Sequence, residues 1–177
     1  FKNKIEEKII KPTIKGIRDE GMEYIGFIFI GLIKVNDEPY VIEYNVRMGD
    51  PETEVVFPRV KSDILELLLS LETKKFPLFE LDIDPRFSST IMLVSGGYPL
   101  AYEKQIPITG LEDIKKAQVF HAGTKNLNNK IVTNGGRVLA VTSFGSTIKD
   151  ATENCYKASN KIFFEGMYFR KDIGFDL

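Results

Sequence analysis

The chain opens on a helical pattern. Ile5, Ile9, Ile14 and Ile17 recur among charged residues between positions 3 and 20, a spacing that lines one face of a helix. Pro12 falls inside this segment and predicts a kink or a division into two helices, and Gly21 is a natural stop. From Tyr24 to Val35 the sequence is almost continuously apolar, and Phe27 to Ile30 favour a strand buried on both faces. Asn36-Asp37-Glu38-Pro39 supplies turn chemistry. After it, strict alternation sets Tyr40, Ile42, Tyr44 and Val46 on a core face and Val41, Glu43, Asn45 and Arg47 on a polar one. These two runs predict a β-hairpin.

Pro51 and Pro58, at the two ends of the passage around Thr53 to Phe57, predict an irregular or short helical connection. Ser62 reads as an N-cap, with a short buried helix from Asp63 to Leu71. Phe76 to Phe87 is punctuated by Pro77, Asp82, Asp84 and Pro85, which places a domain junction near residue 85 and gives two domains, 1–85 and 86–177. Beyond it, strands are expected at 88–94 and 118–122. Asn134-Gly135-Gly136 predicts a hairpin between 131–133 and 137–142. Residues 147–163 form a helical pattern with Ala151, Cys155, Ala158 and Ile162 on one stripe and Lys149, Glu153, Lys157 and Lys161 outside it. Asn126 to Asn129 is too short for a low-complexity tract, and no repeat period appears. The fold class is α+β.

Composition removes several functions. Across 177 residues, 24 Lys and Arg balance 25 Asp and Glu, so nucleic acid and anionic membranes are not expected partners. The single cysteine, Cys155, permits no intrachain disulfide and suits a reducing cytoplasmic setting. The apolar run 24–33 is too short to span a bilayer as a helix, and no signal-peptide pattern precedes it. The chain begins with Phe1 rather than Met, which suggests a piece of a longer protein.

Chemistry concentrates on the polar face of the second hairpin strand. Glu43, Asn45 and Arg47 follow one another at intervals of about 6.5–7 Å. Hard oxygen ligands beside a fixed cation suit a Mg²⁺-bound phosphate, and Gly49-Asp50-Pro51-Glu52 adds two carboxylates in the next turn. A solvated hairpin face is the plainer reading of the same pattern. Ser95-Gly96-Gly97-Tyr98-Pro99 offers either an anion nest or a simple turn. His121 has no second histidine or cysteine cluster to make a zinc site and stays off the catalytic set.

Glu43 through Glu52 resembles the ATP-grasp ligases, and within them the glycinamide ribonucleotide synthetases. Glu43-x-Asn45 is similar to the superfamily's magnesium pair, and Arg47-Met48-Gly49-Asp50-Pro51-Glu52 to the narrower motif of this family. Further matching motifs are Gly26 to Leu32, Lys61 to Asp63, Ser95 to Pro99, Phe120 to Thr124, Thr133 to Val138 and Arg170 to Gly174. Met48 stands where phenylalanine is usual, and Glu54 where glutamine is common. The resemblance implies the C-terminal half of an ATP-grasp domain, an antiparallel sheet with helices, followed by a small, mainly antiparallel β domain with a helix. It also implies ATP, glycine and 5-phosphoribosylamine as substrates. Mg²⁺ or Mn²⁺ would be held by Glu43 and Asn45, with Arg47 catalytic and Asp50 and Glu52 at the substrate end. The adenine pocket and phosphate loop would lie before Phe1, in the N-terminal remainder of the same protein, so the isolated piece is expected not to turn over. A different ATP-grasp ligase and a catalytically silent nucleotide-binding module stay open.

Overall fold

The computed structural model describes residues 1–73 and 78–175 and divides into two compact units, Phe1–Asp50 and Pro51–Leu177. Phe76 and Pro77, part of the stretch assigned to the junction, lie outside the described residues.

In the first unit, Pro12 does not divide the helix. α-Helical Lys2–Ile5 (α1) runs through a π-helical turn, Glu6–Ile10, into Lys11–Asp19 (α2). The wide turn lies immediately before the proline, where the normal hydrogen-bond ladder would be interrupted in any case. Gly21 ends the run as expected. At φ +65° it lets its own N–H reach Arg18 O and that of Met22 reach Ile17 O, both at 3.0 Å, the paired bonds of a Schellman cap.

Strands Phe29–Val35 (β1) and Glu38–Asn45 (β2) form the predicted antiparallel hairpin. Asn36 and Asp37 at φ 50° and 62° make its two-residue turn, the left-handed pair that matches strand twist. Two expectations fail here. β1 is not buried on both faces, since Ile33 and Val35 are exposed, and the expected core face from Tyr40 to Val46 is open, with Ile42 of β2 at 65% exposure and Val46, just past the strand, at 72%. A two-stranded ribbon with one helical run against it has too little material to cover both faces. Among the described residues of this unit, the buried apolar side chains are Ile9 and Pro39. The helical run meets the hairpin through Lys4 and Lys8, which pair with Glu38, and through a 3.0 Å bond between the hydroxyls of Thr13 and Tyr44.

The second unit is built on a three-stranded antiparallel sheet. Phe87–Val94 (β3) and Gln118–His121 (β4) flank Arg137–Gly145 (β7). One face carries Ile91, Leu93, Leu139 and Val141, over which helix Ile148–Ser159 (α5) lays its stripe of Ala151, Cys155 and Ala158, extended by Ile162. These large side chains and Phe164 are almost wholly buried, each contributing roughly 1.5–3 kcal/mol. The opposite face is hydroxyl-rich. Ser88 Oγ donates to Val55 O at 2.9 Å and Thr142 Oγ1 to Glu54 O at 2.8 Å, which seats the short helix Thr53–Val56 (α3) against it.

The hairpin expected around Asn134-Gly135-Gly136 does not form. Lys130–Thr133 (β6) pairs instead with Thr124–Leu127 (β5), through Asn128 and Asn129 at φ 50° and 61°. Gly135 serves close approach rather than turn geometry: a Cβ there would sit 3.0 Å from Gly123 Cα. The helix assigned to 63–71 is Ile64–Glu72 (α4), capped by Asp63 rather than Ser62, and it is mostly exposed, with Leu67 and Ser70 buried. Ser62 Oγ instead accepts from Asp82 N at 2.7 Å, and Asp84 N donates to Arg59 O, so the stretch before residue 85 is tied back to residues 59–62.

Candidate functional site

The register of the hairpin decides which side chains share a face. Phe29 opposes Asn45 and Gly31 opposes Glu43, but Leu32 opposes Val41, so Ile42 has no partner and forms a bulge. Directly opposed residues lie on the same side of a sheet, and a bulge reverses the alternation beyond it. Glu43 and Asn45 therefore share their face with Phe29, Gly31, Ile33 and Tyr40. Val41 falls on the opposite side with Tyr44, the side that Thr13 of α2 touches. The strict alternation expected from Tyr40 to Arg47 holds only for the Glu43-Asn45 end.

That end is well defined locally. Asn45 Nδ2 donates to Glu43 Oε1 at 3.0 Å, which fixes the amide and leaves its oxygen and the second carboxylate oxygen for another partner. Gly31 makes room for them, since a Cβ on it would come within 3.0 Å of Glu43 Cγ. Arg47 lies past the end of β2, in a bend, so strand periodicity does not orient it; its Nη1 donates to Met48 O at 3.2 Å. Gly49 is buried and Asp50 exposed at the close of the first unit. Glu52 belongs to the second unit, where it is the N-cap of α3 and its carbonyl accepts from Val55 N and Val56 N. The structure thus brings Glu43 and Asn45 into contact, holds Arg47 two residues on, and assigns Asp50 and Glu52 to different units.

A carboxylate and an amide oxygen are a donor set that suits a small hard cation sharing its remaining positions with phosphate and water. Among the described residues no three His, Cys, Asp or Glu side chains gather into a fuller metal cage. Glu43 and Asn45 are the pair that would hold such an ion.

The Ser95-Pro99 segment is a turn. Ser95 N donates to Gly136 O, Tyr98 N to Ser95 O and Leu100 N to Gly97 O, so these amides are committed within the fold. The second unit also contains a cleft of about 370 Å³ between α3 and the edge strand β4, lined by Thr53, Glu54, Phe57, Pro58, Gln118, Phe120 and His121. In the sequence His121 stays off the catalytic set, and Glu54 is marked only as standing where glutamine is common. The shared cleft is a tertiary fact, with no signal in spacing.

The class follows from the first unit. Residues 1–53 match the family model described as the ATP-grasp (A) domain of phosphoribosylglycinamide synthetase, and the Glu43-Asn45 hairpin lies inside that match. Residues 88–176 match the C domain of the same synthetase. The chain belongs to the phosphoribosylglycinamide synthetase family. It is 45% identical over 176 residues to the phosphoribosylamine–glycine ligase of Vibrio vulnificus (strain CMCP6), covering 98% of this chain and 41% of that protein. Identity to the ligase of Caldanaerobacter subterraneus is 42% over 171 residues, again 41% of its length. The crystal structure of phosphoribosylamine–glycine ligase from Thermotoga maritima superposes with a TM-score of 0.78 at 35% identity, covering 96% of this chain and 42% of that one. The K. lactis urea amidolyase, at 16% identity and TM-score 0.58, is alike in fold alone. The chain spans about two fifths of the length of the curated relatives it matches. Among the described residues no helix is long and apolar enough to cross a membrane.

Proposed function

We propose that this chain is the C-terminal portion of an ATP-dependent ligase of purine biosynthesis that joins glycine to 5-phosphoribosylamine. A glycine carboxylate oxygen attacks the γ-phosphorus of ATP and releases ADP, leaving glycyl phosphate. The amine nitrogen of phosphoribosylamine then attacks the glycyl carbon, phosphate leaves, a proton is lost, and glycinamide ribonucleotide is formed. The observation that carries this reading is the Glu43-Asn45 pair, held 3.0 Å apart on one face of the hairpin, within a chain whose relatives bear the name of that ligase.

Glu43 and Asn45 would hold Mg²⁺ or Mn²⁺. When bound, the ion neutralises charge on the transferring phosphoryl group. Arg47 offers a planar cation to the acyl phosphate and its transition state, and Asp50 and Glu52 shape the substrate end. The junction of the enzyme's central and C-terminal domains falls near residue 85, a reading supported by the start of the C-domain match at Ser88. The open apolar residues of β2, among them Tyr40, Ile42 and Tyr44, would receive the remainder of the ATP-grasp domain, as the greater length of the relatives supports. The cytoplasm is the expected compartment.

The test is a substrate screen on the full-length enzyme. ADP release that requires glycine and phosphoribosylamine is expected; ADP release that requires bicarbonate instead assigns another ATP-grasp ligase.

A further inference from the structure

We infer that the cleft between α3 and β4 is a furanose site, and that Glu54 is its principal hydrogen-bond acceptor. The inference deepens the ligase reading and rests on it for the identity of the sugar, that of the phosphoribosylamine substrate.

Glu54 Oε2 is buried and has no hydrogen-bond partner among the described residues. A carboxylate oxygen shut from water without a donor is costly, and native structures rarely keep one without a use. The backbone carbonyl of Glu54 is held separately, by Thr142 Oγ1 at 2.8 Å. The last torsion of a glutamate side chain is soft, so a donor in the cleft that Glu54 lines can draw the orphaned oxygen toward it at little cost.

The rest of the lining indicates which donor would meet it. Gln118 and His121 each offer both donor and acceptor atoms, and His121 Nδ1 is already set by Thr124 Oγ1 at 3.0 Å. Phe57 and Phe120 supply aromatic surface on either side. Planar polar groups interleaved with aromatic rings suit a ring that carries hydroxyls on its edge and C–H bonds on its faces. The volume of about 370 Å³ admits a monosaccharide. No lysine or arginine lines the cleft, so the sugar rather than its phosphate is what this site reads.

The experiment measures steady-state constants for the full-length enzyme. Glu54→Ala should raise KM for phosphoribosylamine about tenfold, the loss of one hydrogen bond to a charged group, and leave KM for glycine and ATP unchanged. Glu54→Gln keeps an acceptor and should stay within about twofold of the parent. Gln118→Ala, at an exposed strand position, should raise the same KM and serves if Glu54→Ala does not fold. An unchanged KM for phosphoribosylamine in an active enzyme carrying these changes overturns the site. If the parent enzyme ligates nothing, the ligase reading fails separately. The cleft is then tested by titrating the full-length protein with D-ribose 5-phosphate and following the His121 ring protons: a shift lost in Glu54→Ala supports the site, and no shift overturns it.

Discussion

Gly31 lies directly across the hairpin from Glu43, and the Cβ that any other residue would carry there stands 3.0 Å from Glu43 Cγ. The neighbour is the middle of a flexible side chain, so the strand survives a larger residue while the carboxylate is displaced by a few tenths of an ångström. Gly31→Ala in the full-length enzyme should therefore raise the Mg²⁺ concentration needed for half-maximal activity several-fold, on the order of 1 kcal/mol. Thermal unfolding should move little, since alanine suits a strand better than glycine. A metal titration beside a melting curve checks both; an unchanged metal requirement would remove Gly31 from the support of Glu43.

The N-terminus of α5 closes with a reciprocal cap. Asp150 N donates to Thr147 Oγ1 at 3.0 Å, and Thr147 N to Asp150 Oδ2 at 3.2 Å. Bonds from Ser146 and Thr147 hold the Asp150 carboxyl below the usual carboxylate range. Thr147→Ala should cost about 1 kcal/mol of unfolding free energy, read from denaturant midpoints. Because α5 covers the core face of the sheet, the loss should appear as a shift of the whole transition of the second unit.

Cys155 is fully buried, with its Sγ 3.0 Å from Ser89 O. Burial pushes its thiol from an ordinary 9.0 up to about 11. The folded state thus favours the protonated thiol. The stability this contributes is complete below pH 9 and is lost progressively as pH rises toward about 11. Alkylation of the native protein at neutral pH should be far slower than of the unfolded chain, and Cys155→Ala should flatten the alkaline decline of stability. Rapid labelling of the native protein would contradict this placement.

Much of this architecture was legible along the chain. The hairpin turn at Asn36-Asp37, the cap at Gly21 and the buried stripe of α5 all follow from local chemistry, where a few adjacent residues carry the whole cause. What local pattern could not supply was pairing at a distance. Asn134-Gly135-Gly136 has turn composition, yet its glycines serve backbone approach to Gly123, and the turn fell instead at Asn128-Asn129, where asparagine accepts left-handed geometry. The bulge at Ile42 was equally hidden in an alternating pattern, although a glycine inside an apolar strand is a recognised mark of a bulge or a close approach. At the site, Glu43 and Asn45 could be matched because their spacing is two. Arg47 could not be oriented once the strand ended, and the Glu54 cleft joins residues more than sixty positions apart.

The most direct test of the whole account is kcat for Glu43→Ala in the full-length enzyme, measured over a range of Mg²⁺ concentrations with folding checked by circular dichroism. The account predicts loss of metal-dependent ligation with secondary structure and melting unchanged, because Glu43 is exposed and contributes no core packing. A kcat equal to that of the parent enzyme would contradict it and remove Glu43 from the metal site.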